Sequence, residues 1–249
     1  DVEASGASDG TLELTFNSDA TDEVTTVNLA LTNDTELLAN GTWNDVVTVD
    51  ASASTGGITA TLSGTDAFEA ISGGSGDDNL TIGTDFTADE VTINAGAGDD
   101  TIAINGTSGV LLTLTGGAGT DTHDFSKSGF KNIVNEETFE DEMIVITDFN
   151  TNEDVLDLSG LVEHELSNAE LGIGSADDGI LNAATLEAAV TLASGATAAG
   201  EFSLFNYGDD AYALYQAVGT ENGGLIKLTG VNNIDALDGS ALLSGLEAV

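Results

Sequence analysis

Three glycine-rich segments that contain aspartate hold the residues best suited to chemistry in this chain. They read GGSGDDNL at residues 73–80, AGAGDDTI at 95–102 and GGAGTDTH at 116–123. Glycine allows positive φ, so the backbone of such a turn can direct its carbonyl oxygens towards one point. The aspartate adds charged oxygens. Ca²⁺ takes six to eight oxygen ligands at about 2.3–2.6 Å, so the segments indicate calcium binding.

These segments need a repeating element to position them, and the residues around them show a strand period. Pairs of mainly apolar residues with i, i+2 spacing begin every 10 or 11 residues, and both members face one side of a short strand. The pairs are Leu80/Ile82, Val91/Ile93, Ile102/Ile104, Leu112/Leu114 and His123/Phe125. Two strands and two turns therefore make a coil of 21 or 22 residues, and such coils wind into a solenoid. The three segments are predicted to stack on one edge, with ordinary turns at 83–90 and 105–110 on the other.

The three segments resemble the nonapeptide G-G-x-G-x-D-x-U-x of the repeats-in-toxin (RTX) family, in which U is a large apolar residue. The first segment matches fully. The second has Ala95 in place of the first glycine, and the third has His123 at the apolar position. The resemblance implies a parallel β-roll in which each Ca²⁺ lies between the turns of adjacent coils, so that three turns hold at least two ions.

The resemblance also implies a ligand set. Asp78, Asp100 and Asp121 occupy the family's ligand position, whereas Asp77 and Asp99 are expected to face solvent. Backbone carbonyl oxygens are expected to complete the shells around Gly74, Gly76, Gly96, Gly98, Gly117 and Gly119. The usual roll of the family repeats about every 18 residues, or two nonapeptides, and binds ions on both edges. The longer coil of this chain leaves open whether its second edge binds any.

The predicted fold is all-β: a parallel β-solenoid or β-roll with calcium turns on one edge, capped by an antiparallel β meander with short helices. Residues 1–70 are expected to form solenoid strands without calcium turns, residues 71–126 the calcium roll, and residues 127–249 the capping region. Alternating residues predict early strands at 11–16, 24–31 and 46–49. Residues 49–62 resemble the strands that precede calcium turns in RTX-type surface-layer proteins.

A closing segment follows the last of the three turns. Residues 143–159, MIVITDFNTNEDVLDLS, resemble the segment that closes the roll in serralysin-type proteases and related type I secreted proteins. Four side chains also match positions one, three, five and seven of an EF-hand loop: Asp148, Asn150, Asn152 and Asp154. Glu153 replaces the glycine at position six and Ser159 the glutamate at position twelve, so a turn is favoured over an EF-hand.

The capping region is predicted to contain a helix and three strands. Residues 182–194 have a helical pattern with Asn182 as N-cap, and strands are predicted at 202–205, 212–217 and 225–229. This resembles the antiparallel end of RTX-type surface proteins, and a solenoid needs a cap over its last coil. The tail at 234–249 is amphipathic and ends LEAV, which resembles the uncleaved C-terminal signal of type I secretion. An ordinary terminal helix is the alternative.

The composition narrows the choice of partner. The formal net charge is −41, with three lysines and no arginine, so the chain is expected to repel nucleic acid and anionic membranes and to attract cations. A halophilic or simply very soluble surface is the alternative explanation. The absence of cysteine excludes disulfides and thiolate metal sites. No membrane insertion is expected, because the sequence lacks an apolar run of about 18 residues.

The residue types also predict that the chain is not an enzyme. His123 and His164 are the only histidines, and neither an H-E-x-x-H zinc motif nor a G-x-S-x-G elbow is present. A glycosidase-type carboxylate pair needs aromatic sugar platforms, yet aromatic residues make up 5% and Trp43 is the only tryptophan. His123 is expected to pack half-buried in its strand, and His164 to lie in a solvated turn or helix.

These patterns predict a calcium-dependent extracellular protein with a structural role, as a surface-layer, adhesin or matrix component. It is expected to leave the cell through the type I secretion machinery, to fold when it binds Ca²⁺, and to self-associate into a lattice or filament. The alternative is the secretion and folding module of an RTX exoenzyme such as a serralysin-like protease. Ice or surface binding would need regular outward T-x-T ranks, which Thr81, Thr92, Thr101 and Thr113 do not form.

Overall fold

The structure is a computed structural model. It describes residues 2–6, 10–16, 24–41, 46–62, 68–83, 90–105, 110–126, 143–158, 183–197, 201–216 and 223–232. In this part of the chain the protein is mostly β, with two parallel sheets that form a solenoid and a short antiparallel meander at the C-terminal end. The predicted all-β class, with a parallel solenoid and a C-terminal antiparallel meander, is confirmed.

Successive strands of the solenoid alternate between two sheets, and neighbours within each sheet are parallel. Sheet 1 contains, in order, β1 (Val2–Gly6), β3 (Thr26–Leu31), β5 (Thr48–Asp50), β7 (Ala70–Ser72), β9 (Glu90–Ala97), β11 (Leu111–Ala118) and β13 (Ile144–Ile146). Sheet 2 contains β2 (Gly10–Phe16), β4 (Thr35–Gly41), β6 (Ile58–Leu62), β8 (Asn79–Ile82), β10 (Thr101–Ile104), β12 (Thr122–Asp124) and β14 (Val155–Asp157). One strand from each sheet makes one coil.

The register of the strands stacks equivalent residues of successive coils. In sheet 1, Ile71 pairs with Ile93, and Ile93 with Leu114. In sheet 2, Leu80 pairs with Ile102, and Ile102 with His123. These steps of 21 or 22 residues are those of the apolar pairs in the sequence.

Inward side chains of the two sheets form one continuous core. Because successive side chains of a strand point to opposite faces, β9 alternates exposed and buried residues, and Val91 and Ile93 are fully enclosed. Ile102, Leu112 and Leu114 are equally buried. Each such side chain contributes about 1.5–3 kcal/mol by leaving water, which gives a chain without disulfides its stability.

The meander extends sheet 1 instead of forming a separate sheet. It consists of β15 (Glu201–Tyr207), β16 (Asp210–Gln216) and β17 (Gly224–Leu228). β17 pairs in parallel with β13, β16 pairs antiparallel with β17, and β15 antiparallel with β16. The inward residues of the meander, such as Phe202 and Ala213, join the solenoid core. The meander thereby pairs the edge that β13 would otherwise expose.

A single helix, α1 (Leu186–Ala196), is present in the described residues and packs on the outer face of the meander. Its N-cap is Thr185, whose Oγ accepts a 3.2 Å hydrogen bond from the amide of Ala188. The predicted N-cap, Asn182, lies outside the described residues. The helix begins later than predicted because Thr185 is extended and its hydroxyl reaches an otherwise unpaired amide of the first turn.

Several other predictions also fall outside the described residues. These are most of the turns on the second edge, at 84–89 and 106–109, together with the tail at 234–249, His164, Trp43 and Ser159. Among the described residues, no helix is both long and apolar enough to cross a bilayer.

Candidate metal site

Among the turns on the edge where the chain passes from sheet 1 to sheet 2, four end in a buried aspartate. They are turn 1 (residues 73–78), turn 2 (95–100), turn 3 (116–121) and turn 4 (147–154). Parallel pairing on both sides holds them in line: the amide of Thr101 donates to the carbonyl of Asp78, and that of Thr122 to the carbonyl of Asp100, each at 2.8 Å. The structure thus brings together Asp78, Asp100 and Asp121 on one edge.

The aspartates that end these turns are linked in a ladder. The amide of Asp78 donates to Oδ1 of Asp100 at 2.7 Å, and the amide of Asp100 to Oδ1 of Asp121 at 3.1 Å. The amide of Asp121 in turn donates to Oδ1 of Asp154 at 3.0 Å, and that of Ile58 to Oδ1 of Asp78 at 2.6 Å. The exposed fraction of each of the four aspartates is 4% or less. By contrast, Asp77 and Asp99 are exposed, as predicted.

Burial makes ionisation of this ladder costly. Desolvation is the main cause that raises the pKa of Asp100 to about 7 and that of Asp121 to about 6, and neighbouring carboxylates add to it. The amide hydrogen bonds only partly oppose these effects. Burial likewise raises the pKa of Asp78 and of Asp154. The ion pair between Lys227 and Asp210 lies in the meander, and no ion pair reaches the ladder in the described part of the chain. A bound cation would supply the missing positive charge.

The glycines of turns 2 and 3 adopt the backbone conformation expected of a turn that directs its carbonyls. φ is +116° at Gly96, +130° at Gly98, +114° at Gly117 and +141° at Gly119. A Cβ on Gly117 would collide with the carbonyl oxygen of Gly96, and one on Gly119 with that of Gly98. The two turns therefore touch through their backbones.

Turn 1 departs from this pattern, although its sequence matches the nonapeptide best. Gly74 and Gly76 do not have positive φ. Turn 1 instead packs on the preceding turn of the same edge, residues 51–57. There the amide of Ser75 donates to the carbonyl of Ser54 at 3.0 Å. A Cβ on Gly74 would also collide with that carbonyl. Turn 1 therefore differs from turns 2 and 3 in backbone conformation, and it also has a different neighbour.

One buried oxygen of the ladder has no partner. Oδ2 of Asp100 is enclosed, accepts no hydrogen bond within the described residues, and belongs to a side chain that is 1% exposed. Leaving such an oxygen unpaired is costly, so the site is incomplete as a purely protein structure. The surroundings offer oxygen ligands and negative charge, which suit a hard cation such as Ca²⁺.

The side chains alone do not make a complete coordination shell. No group of three or more acidic or histidine side chains converges in the part of the chain that the structure describes. An ion on this edge must therefore take carbonyl oxygens as well as carboxylates. That combination is available beside Asp121, whose carboxylate lies next to Gly116 and accepts from the amide of Asp100.

Two acidic residues of turn 4 belong to the edge and were not predicted as part of it. Asp148 accepts hydrogen bonds from the amides of Gly116 at 3.1 Å and Gly117 at 2.8 Å. Asp154 continues the ladder. Residues 147–154 form a turn, as expected, but an insertion before them hides their place in the repeat. The available signal was Asp154-Val155-Leu156, which matches the Asp-x-apolar end of the other turns.

His123 occupies the inward column of sheet 2 between Ile102 and Leu156. It packs in the core as expected, but it is fully buried instead of half-buried, and its ring lies 6.0 Å from that of Phe149. Burial lowers its pKa to about 4. Neither ring nitrogen has a hydrogen-bond partner within the described residues. His123 is therefore neutral, and its side chain serves to pack the core.

The four outward threonines considered for surface binding do not share a face. Thr92 and Thr113 are neighbours on sheet 1, whereas Thr81 and Thr101 lie on sheet 2 in different columns. Thr101 stacks between Asn79 and Thr122. The threonines are thus divided between two opposite surfaces.

Comparison with known protein families and with curated proteins finds no match to this chain. The geometry of the turn edge is therefore the basis for a functional proposal.

Proposed function

We propose that this chain is a calcium-dependent extracellular structural protein, a component of a surface layer, adhesin or matrix, whose β-roll folds when Ca²⁺ binds the stacked turns. The observation that carries the proposal is the buried, unpartnered Oδ2 of Asp100 within a ladder of enclosed aspartates. A cation at this edge relieves both the unpaired oxygen and the repulsion between carboxylates.

The proposed ligands are drawn from the carboxylates of Asp78, Asp100 and Asp121 and from backbone oxygens of the glycine turns. The glycines concerned are Gly74, Gly76, Gly96, Gly98, Gly117 and Gly119. When bound, Ca²⁺ supplies the positive charge that lets buried carboxylates remain ionised. The protein residues orient the oxygens, exclude water and join adjacent coils by amide hydrogen bonds.

The secretion route explains why folding should depend on the ion. Inside the cell free Ca²⁺ is scarce, so the acidic turns repel one another and the chain stays loose enough for the type I machinery. If each site has a Kd of about 0.1–1 mM, as extracellular modules do, about 10 mM Ca²⁺ stabilises the roll by roughly 1.4–2.7 kcal/mol per site. Several sites together approach the whole stability of a domain, about 5–15 kcal/mol.

A structural role also fits the rest of the surface. The net charge of −41 keeps the chain soluble and apart from nucleic acid and anionic membranes before export. Outside the cell, divalent cations lower the repulsion between copies. Self-association into a lattice or filament then becomes feasible.

A second candidate is the secretion and folding module of an RTX exoenzyme such as a serralysin-like protease. It is favoured by the closing segment that contains Asp148 and Asp154, which resembles that of serralysin-type proteases. The coding sequence upstream distinguishes the two: a zinc-protease motif supports the enzyme module, and further threonine-rich β-repeats support the structural protein.

The proposal is tested by removing calcium. We expect EDTA to unfold residues 71–126, with loss of the strand signal in far-UV circular dichroism and fast amide exchange at Leu80, Ile102 and Leu112. Re-addition of Ca²⁺ should restore both. NaCl and Mg²⁺ at matched ionic strength are the controls, because a merely halophilic surface would respond to them equally. An unchanged strand signal in EDTA would refute calcium-dependent folding.

A further inference from the structure

The four aspartates of the ladder differ in their second carboxylate oxygen. Oδ2 of Asp78 accepts a 2.7 Å hydrogen bond from the amide of Gly74, four residues earlier in its own turn. Oδ2 of Asp154 accepts the equivalent 2.7 Å bond from Asn150. Oδ2 of Asp100 has no partner within the described residues. We call an aspartate closed when an amide of its own turn donates to its Oδ2, and open when Oδ2 has no partner. The two end members of the ladder are thus closed, and Asp100 is open.

Glycine conformation explains the difference. Gly74, Gly96 and Gly117 are equivalent residues of successive turns. Gly96 and Gly117 have positive φ and Gly74 does not, so only Gly74 presents its amide to the aspartate of its own turn.

The amides of turns 2 and 3 are used between coils. In turn 2, the amide of Ala97, the residue after Gly96, donates to the carbonyl of Gly74 at 3.0 Å. In turn 3, the amide of Gly117 donates to Asp148 at 2.8 Å. The amide of turn 3 that corresponds to that of Gly74 therefore does not close Asp121, and the open state of Asp100 rests on its unpartnered Oδ2.

We infer that turns 2 and 3 are the primary cation-binding unit, with the ion held between Asp100 and Asp121, and that Asp78 and Asp154 are braces that hold the turns by amide hydrogen bonds. The inference rests on the proposed function and refines its ligand set. Turn 1, which has the complete nonapeptide, holds the neighbouring turns in place. Turns 2 and 3, whose sequences match the nonapeptide less well, bind the ion.

Asparagine substitutions separate the two roles because asparagine keeps one acceptor oxygen and replaces the other by a donor. In Asp78→Asn, the new amide group must face either the amide of Ile58 or that of Gly74, so one hydrogen bond is lost. In Asp100→Asn, Oδ1 can still accept from the amide of Asp78, and the new amide group replaces the unpartnered oxygen. The same chemical change therefore removes a brace at one position and an ion ligand at the other.

The experiment is urea denaturation at a series of free Ca²⁺ concentrations, for the unsubstituted protein and for the variants Asp78→Asn, Asp100→Asn, Asp121→Asn and Asp154→Asn. The slope of the unfolding free energy against the logarithm of free Ca²⁺ counts the ions taken up on folding. We expect Asp100→Asn and Asp121→Asn to lower this slope by about one ion. We expect Asp78→Asn and Asp154→Asn to lower the urea midpoint at every Ca²⁺ concentration with the slope unchanged.

The outcomes distinguish this inference from the proposed function. A slope that falls as much in Asp78→Asn and Asp154→Asn as in Asp100→Asn would overturn the division of roles while leaving calcium binding intact. A slope of zero in the unsubstituted protein would overturn calcium binding itself and the cation part of the inference with it. Should Asp78→Asn fail to fold, Asp154→Asn still tests the brace at the other end of the ladder. Equilibrium dialysis of the folded variants with Ca²⁺ gives an independent ion count.

Discussion

Gly117 pairs with Gly96 across sheet 1 so closely that a Cβ on Gly117 would collide with the carbonyl oxygen of Gly96. The φ of Gly117, +114°, is also a conformation that other residues rarely adopt. Space and backbone conformation therefore both require glycine at this position. The requirement arises because turns 2 and 3 contact each other through main-chain atoms.

Gly117→Ala is expected to lower the free energy of unfolding by at least about 3 kcal/mol, because strain at positive φ costs about 1–3 kcal/mol and the backbone collision adds to it. Gly208→Ala is the control: its φ is also positive, +65°, but nothing lies within 4 Å of an added Cβ. That variant should lose only about 1–2 kcal/mol. Urea denaturation of both variants in saturating Ca²⁺ measures the difference, and equal losses would contradict the close contact.

Asp148→Asn tests whether turn 4 supports turn 3. The carboxylate of Asp148 accepts from the amides of Gly116 and Gly117, and an amide side chain can serve only one of them. We expect a loss of about 1–2 kcal/mol, given the partial exposure of the bonds. Asp209→Asn removes a charge from an exposed hairpin turn and should change stability by less than about 0.5 kcal/mol. Matching values for the two variants would exclude a supporting role of Asp148.

His123→Leu is expected to stabilise the protein by about 1–3 kcal/mol. The substitution removes two buried ring nitrogens that lack partners and places an apolar side chain among Ile102 and Leu156. The reverse change in the same column, Leu80→His, should destabilise the protein by a similar amount or more. Thermal or urea denaturation at pH 7 provides the measurement, and a less stable His123→Leu protein would reveal a hidden role for the imidazole.

Lowering the pH is expected to restore part of the fold when calcium has been removed. The folded-state pKa values of Asp100, about 7, and Asp121, about 6, are raised above their ordinary value of 3.8, so protons bind the folded state more tightly. Their contribution to stability is fully present below about pH 3.8 and is lost as pH rises through about 6 to 7. In EDTA, the strand signal should therefore recover in part when pH is lowered from 7.5 to about 5, whereas calcium affinity should fall.

His123 opposes this recovery of the fold at low pH, because protonation of the buried ring destabilises the folded state. Its folded-state pKa, about 4, is below the ordinary 6.5, so its contribution is present above pH 6.5 and is lost as pH falls towards 4. Recovery in acid should consequently be larger in His123→Leu and smaller in Asp100→Asn. Circular dichroism in EDTA between pH 4.5 and 7.5 measures both, and a recovery that is the same in Asp100→Asn would exclude Asp100 as its source.

Much of the scaffold follows from local pattern. The pair Val91 and Ile93 and the pair Leu112 and Leu114 predict strands whose inward faces stack one coil apart, and the structure pairs them in that register. The spacing of the glycine turns likewise predicts a common edge. These features depend on the period-2 geometry of strands and on constant coil length, which can both be read along the chain.

Turn 4 and the meander could not be predicted in the same way. The coil between turns 3 and 4 is longer than the others, so the stacking of Asp154 under Asp121 is hidden from a periodicity search. The sequence predicts a capping meander, but it does not reveal that β17 pairs with β13 as the next strand of sheet 1. Both outcomes depend on contacts between segments that are far apart in the sequence.

The order of residues by itself determined the coil, the inward columns and the edge on which Asp78, Asp100 and Asp121 gather, because these depend on repeat length and side-chain alternation. Only the tertiary structure decided which of these carboxylates is closed and which remains open. The amide of Gly74 reaches its own aspartate, whereas the equivalent amide of Gly117 donates to Asp148, and that choice depends on the neighbouring coil. Hydrogen bonds between coils are set by contacts across some 20 residues of sequence, a distance over which a local motif carries no information.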